Sequence, residues 1–134
     1  LVYWTQDLFK EKLLKRGSQI FAMTSSGGRR QWKSYGAVSA AKASLESYCR
    51  QLALELSSCG IAVNSIQAGV TDTPALRKIP GNDIMIENAL RTNPGGRLTL
   101  PQDVAKSISL IGCSEESWLT GNNIRVDGGE DITG

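Results

Sequence analysis

Apolar residues in this 134-residue chain fall into two kinds of run: compact blocks such as Ile20-Phe21-Ala22-Met23, and series that return every three or four positions. Compact blocks suit strands buried on both faces of a sheet, and spaced series suit helices with one apolar stripe. Residues 1–16 predict an amphipathic helix with Leu1, Trp4, Leu8 and Leu13 on one side. Lys10, Lys12, Lys15 and Arg16 gather toward its end, where cations favour the helix dipole, and Gly17 stops it. Residues 18–25 predict a strand buried on both faces. A long helix follows over 35–58, with Ala41, Leu45, Tyr48, Leu52 and Leu56 as its stripe and Gly60 as its C-terminal cap. Residues 61–68 predict a second strand, and Gly69-Val70-Thr71-Asp72-Thr73 turns out of its carboxyl end. Strand, helix and strand in this order predict a right-handed crossover and a parallel sheet, so the fold class is α/β.

From 71 to 97 the pattern changes to Pro, Gly, Asn and charge, with a short helical stretch near 84–91. A segment of that length inside a compact unit reads as a lid over a substrate, against the plainer reading of a surface excursion. Thr99-Leu100-Pro101-Gln102 has the form of a capping box with proline in the first turn, opening a helix through Val104, Ile108 and Ile111. Residues 122–126 predict the last strand, followed by Asp127-Gly128-Gly129, so 99–134 is a final helix and strand. There are no internal repeats.

Composition narrows the function classes. Fifteen basic and thirteen acidic residues give a formal net charge of +2, too even a balance for a nucleic-acid binder. Three cysteines, Cys49, Cys59 and Cys113, lie far from any CxxC spacing, and the chain has no histidine, which argues for a reducing compartment and against a metal. We expect each thiol to be buried or half-buried. No stretch approaches the roughly 18 apolar residues of a membrane span, and the start lacks signal-peptide order, so the expectation is a cytoplasmic protein with no membrane partner. The length suits one globular unit or part of one, and an initial Leu suggests that position 1 is not a natural start.

The chemistry concentrates in 24–42, TSSGGRRQWKSYGAVSAAK. Tyr35 and Lys42, seven residues apart on a helix, differ by about 20° in direction and roughly 10 Å along the axis, so they share a face. A cation beside a phenol favours the phenolate, which suits a proton donor near neutral pH. Ser25 ends the apolar block at the carboxyl end of the first strand, the place where open α/β sheets bind ligands.

Ser25, Tyr35 and Lys42 in this order resemble the short-chain dehydrogenase/reductase family. Most of that family separates Tyr from Lys by three residues, which would put the tyrosine at position 38, where this chain has Val38. The Tyr-x6-Lys spacing resembles instead the branch that reduces enoyl-acyl-carrier-protein thioesters. With SAAKASLESYCRQLALEL, IAVNSIQAGVTDTPAL, NPGGR and IRVDGG, the whole chain looks most like the enoyl-acyl-carrier-protein reductase III group. The resemblance covers only the carboxyl-terminal half of a typical member. Gly27-Gly28, Gly95-Gly96 and Gly128-Gly129 are isolated pairs, none of them the dinucleotide-binding turn with which members begin.

By resemblance the fold is a Rossmann-type parallel sheet with flanking helices, here a single partial domain. The implied function is NAD(P)H-dependent reduction of trans-2-enoyl thioesters carried on acyl carrier protein or coenzyme A, as in fatty acid synthesis. Tyr35 would be the acid, Ser25 would orient substrate, and Lys42, Gly69, Val70 and Thr73 would contact the cofactor, NADPH or NADH. The first and second helices resemble the pair through which members form dimers and tetramers, implying a homo-oligomer. Asn64 reads as structural. Arg29, Arg30 and Lys33 read as a solvated loop or as a docking patch for an acidic carrier protein. Two other readings stand beside this one: a family member acting on a ketone or alcohol, and a truncated, non-catalytic interaction module.

Overall fold

The computed structural model describes residues 1–114 and 118–133. Three parallel strands, β1 (Gln19–Ser25), β2 (Ala62–Ala68) and β3 (Asn123–Val126), form one sheet in the order β1-β2-β3. Ser25 pairs in register with Ala68, and Ala68 with Val126, so the three carboxyl ends lie side by side. Helix α1 (Val2–Lys10) precedes β1, α2 (Gly36–Leu56) joins β1 to β2, and α3 (Asn82–Thr92) and α4 (Pro101–Gly112) lie between β2 and β3. A single turn, α5 (Glu130–Thr133), follows β3.

The core lies where α2 meets one face of the sheet: Cys49, Leu52, Ala53 and Leu56 meet Ala22, Ile61 and Val63, with Leu1, Leu14, Ile20 and Leu45 packed around them. Helix α4 covers the other face against β1 and β3, bringing Gly112 up to the Phe21 ring. Of the three strands among the described residues, only β2 is buried on both faces. In β1, Ala22 and Thr24 face α2 while Met23 on the opposite face is 45% exposed, so the expectation of a doubly buried first strand fails.

Three other expectations need correction. Helix α1 ends six residues early, because Lys12 takes a left-handed conformation (φ 58°) and the amides of Lys12 and Leu13 bond the carbonyls of Phe9 and Leu8. That is the Schellman termination, built here without glycine, and it leaves Trp4 and Leu13 exposed. Helix α2 does end at Gly60 (φ 70°) through the same pair of bonds, after a 3-10 turn at Ser57–Cys59. Its buried face is turned from the expected stripe, however: small Ser39 and Cys49 are buried while Ala41 and Tyr48 face outward. Helix α4 is capped from Leu100 rather than Thr99; the Asp103 carboxylate accepts the Leu100 amide at 2.9 Å, half of a capping box.

The thiols also differ from expectation: Cys49 is buried, whereas Cys59 and Cys113 are exposed. Burial, helped by the Glu46 carboxylate, pushes the Cys49 thiol up from its ordinary value. No helix among the described residues is long and apolar enough to cross a membrane.

Candidate active site at the strand ends

Ser25, Tyr35 and Lys42 gather around the carboxyl end of β1. After Ser25 the chain makes a 3-10 turn, Ser26–Gly28, closed by the amides of Arg29 and Arg30 on the Ser26 carbonyl. Gly27 is what lets this turn sit close. A methyl group on it would lie 2.5 Å from the Tyr35 ring and 3.3 Å from the Ser25 hydroxyl, so the two side chains converge over its bare backbone. Tyr35 is the N-cap of α2, one residue outside the regular helix, and its carbonyl accepts the Ser39 amide at 2.9 Å. Ser34 before it is held left-handed at φ 65°, unusual for a residue with a side chain. Val38, where the commoner family spacing would put the tyrosine, is 43% exposed.

Lys42 reaches back from α2 to the Met23 carbonyl at 2.9 Å. An ammonium has three donors, so two remain for a ligand. The Ser25 hydroxyl is buried and has no hydrogen-bond partner among the described residues. Buried polar atoms are ordinarily paired, which makes this hydroxyl suited to a ligand oxygen.

The next strand end brings Gly69, Val70 and Thr73 alongside. Gly69 is closed in by protein: a side chain there would meet the Thr99 hydroxyl, the Glu130 carboxylate and Asp127. Val70 donates its amide to Glu130 Oε2 at 3.0 Å and accepts the Thr99 amide at 3.1 Å, so both of its backbone groups are engaged within the chain. Thr73 Oγ1 accepts the Leu76 amide at 3.2 Å and keeps its own proton. The donor set therefore fits a nicotinamide cofactor directly at Lys42 and Thr73, while Val70 would first have to release Glu130. Burial pushes the Glu130 carboxyl up from its ordinary value, against the opposing Val70 amide.

Several residues at this site are invisible to motif reading. Glu46, one turn after Lys42 on α2 and 7% exposed, accepts the Thr24 hydroxyl at 2.7 Å; the Lys-x3-Glu spacing was its only local signal. Gln67 is buried in β2, and Asp131 on α5 receives Arg29 and Arg30 in ion pairs at 2.6 and 2.9 Å. Two of the three cations of the basic run are thus ion-paired to Asp131 with side chains 48% and 44% exposed, and Lys33 is exposed. Asn64 ties β2 to the turn before β3, donating to the Leu119 carbonyl and accepting the Asn122 amide.

Two clefts lie elsewhere. One, of about 410 Å³, is lined by Asn93, Arg97, Thr99, Lys106 and Gly128 among others. The other, of about 540 Å³, lies at the amino end of the sheet between Phe9, Leu14, Ile61 and four cations. Neither includes Ser25, Tyr35 or Lys42; the first lies beside Val126 at the carboxyl end of β3, whereas the second lies at the end opposite to that where open parallel sheets bind ligands.

Comparison with known proteins agrees with this geometry. A family model described as enoyl-(acyl carrier protein) reductase matches residues 2–130. The chain is 32% identical to the NADH-named enoyl-[acyl-carrier-protein] reductase FabI of Bacillus cereus, over 92% of this chain and 48% of that one. It is 33% identical to the NADPH-named FabI of Staphylococcus aureus, over 89% and 46%. A 3-oxoacyl-[acyl-carrier-protein] reductase of Pseudomonas aeruginosa is similar too, 31% identical over 88% and 44%. The enoyl-[acyl-carrier-protein] reductase (NADH) structure from Aquifex aeolicus superposes with a TM-score of 0.82 at 30% identity, covering 92% of this chain and 48% of that one. The chain thus spans about half the length of the relatives it matches, and it belongs to the enoyl-(acyl carrier protein) reductase family of short-chain dehydrogenases/reductases.

Proposed function

We propose that the full-length protein reduces trans-2-enoyl thioesters with NADPH or NADH, and that Tyr35 is its acid. The observation that carries this reading is the position of the Tyr35 ring against Gly27, beside the orphaned Ser25 hydroxyl, while position 38 faces outward. When bound, the cofactor supplies hydride to the β-carbon of the substrate. The Tyr35 hydroxyl holds the thioester carbonyl oxygen, where negative charge gathers, and delivers a proton there. Ser25 donates to the same oxygen or orients the thioester. Lys42, fixed to the Met23 carbonyl, directs its remaining donors at the ribose hydroxyls and keeps the local field positive.

Residues 71–97 serve as the lid, and the thioester arrives on acyl carrier protein or coenzyme A. The exposed Tyr3, Trp4 and Tyr48 on α1 and α2 favour assembly with copies of the same chain in the cytoplasm. Assaying the full-length protein on an enoyl and a β-keto thioester of equal chain length tests the reaction. The enoyl substrate should be preferred; a preference for the keto substrate would replace this reading with ketone reduction.

A further inference from the structure

The carboxylate of Asp131 is only 7% exposed, and three guanidinium groups converge on it: Arg29 at 2.6 Å, Arg30 at 2.9 Å and Arg125 at 3.3 Å. Gln67 donates to the same carboxylate at 3.1 Å, and its own carbonyl oxygen accepts Arg29 and Asn123, each at 3.0 Å. Arg30 also donates to the Asp131 main-chain carbonyl, and Asp127 accepts the Asp131 amide at 3.1 Å. One side chain thereby joins the loop after β1 to β2, β3 and α5, across 102 residues of sequence.

An exposed ion pair contributes little, but a buried carboxylate with several charge-assisted bonds differs, because its removal strands the partner charges. Burial pushes the Asp131 carboxyl up, yet Gln67 and the three arginines together hold it below the ordinary range. The loop it grips is the one whose Gly27 sits against Tyr35 and Ser25.

We propose that Asp131 is a positioning residue for this site: by holding Arg29 and Arg30 it fixes the 26–30 turn, and through Gly27 the separation of the Ser25 hydroxyl from the Tyr35 ring. Among the described residues it forms no hydrogen bond with either side chain. Its effect on turnover rests on the enoyl reductase reading above, whereas its effect on the turn does not.

The test is Asp131→Asn in the full-length protein, with Asp131→Glu as the conservative variant. Amide exchange at Arg29 and Arg30 and steady-state kinetics are measured together. In Asp131→Asn, kcat should fall by about 10-fold or more, the scale of a sub-ångström misplacement, with KM for the cofactor changed by less than about twofold. Exchange at Arg29 and Arg30 should quicken by a similar factor, and Asp131→Glu should recover most of the lost kcat.

Unchanged exchange at both amides, or a kcat that falls only in proportion to the unfolded fraction, would overturn the proposal. Faster exchange in a protein with no enoyl turnover at all would sink the functional reading and leave the anchoring supported. Full enoyl turnover in Asp131→Asn would leave the functional reading standing and overturn the positioning role. Should that variant not fold, Arg29→Gln and Arg30→Gln, whose side chains are 48% and 44% exposed, probe the same bonds and are read by the same criteria.

Discussion

The turn at 26–30 and the segment at 71–97 border the same strand ends, but different kinds of bond hold them. The turn is tied to distant sequence: Arg29 to Gln67 and Asp131, Arg30 to Asp131, and Gly27 packed on Tyr35. Between 72 and 92 the side-chain bonds among the described residues are local, such as Arg77 to Asp72, Asn82 to Ile79 and Thr92 to Asn88. Leu76 and Ala89 are its buried anchors. Long-range bonds appear only at its ends, where Thr71 bridges Thr99, Asn93 donates to the Asp127 carbonyl and Thr92 accepts the Thr133 hydroxyl. On the proposed lid reading, a segment built this way would open at lower free energy than one tied across the fold, leaving one border of the site preorganised and the other free to close.

The largest expected effect comes from the fixed border. Tyr35→Phe should lower enoyl reduction by about 10²-fold or more, the scale of a lost general acid, with little change in melting temperature. Val38→Tyr in that background should not restore it, because position 38 faces outward. Full activity in Tyr35→Phe would remove the assignment. Next comes Gly27→Ala, whose methyl would meet the Tyr35 ring at 2.5 Å. Turnover should drop by about 10-fold as the ring moves aside. Unaltered kinetics would show that this contact does not set the geometry.

These two predictions rest on residues of unequal legibility. Ser25, Tyr35 and Lys42 stand within eighteen positions of each other, on one strand end and the following helix, so spacing alone could bring them together. The strands and long helices were legible for the same reason, since periodicity is a local property. Asp131 was not legible: it lies 102 residues from Arg29, and nothing in Glu130-Asp131-Ile132-Thr133 marks one acid as buried. Gln67 stands in β2 beside the equally buried Asn64 and Ser65, and nothing local marks which of the three reaches the site. Tyr48 misled in the opposite direction, because apolarity alone does not show that the neighbouring Cys49, rather than Tyr48, enters the core against Ala22 and Val63.

A smaller effect separates the two acids of α5 by pH. The Glu130 carboxyl is raised above its ordinary 4.5, so the native state holds that proton more tightly than the unfolded chain. Its contribution to stability is present below 4.5 and declines as pH climbs through the raised value. Asp131, lowered from 3.8, behaves oppositely: its contribution is present above 3.8 and is lost as pH falls through the lowered value. Glu130→Gln should therefore flatten the stability profile on the upper side of pH 4.5, and Asp131→Asn should flatten it below 3.8. Identical profiles for parent and variants in chemical denaturation would contradict both assignments.

Amide hydrogen exchange on the full-length protein, with and without NAD(P)H and an unreactive acyl thioester, tests the contrast between the two borders most directly. The amides of Arg29, Arg30 and Tyr35, bonded already to Ser26 and Trp32, should show the same protection in both conditions. Those of residues 72–92 should exchange faster without ligand and gain protection when both ligands bind. Equal protection of 72–92 in the two conditions, or a turn at 26–30 that orders only on binding, would contradict the account.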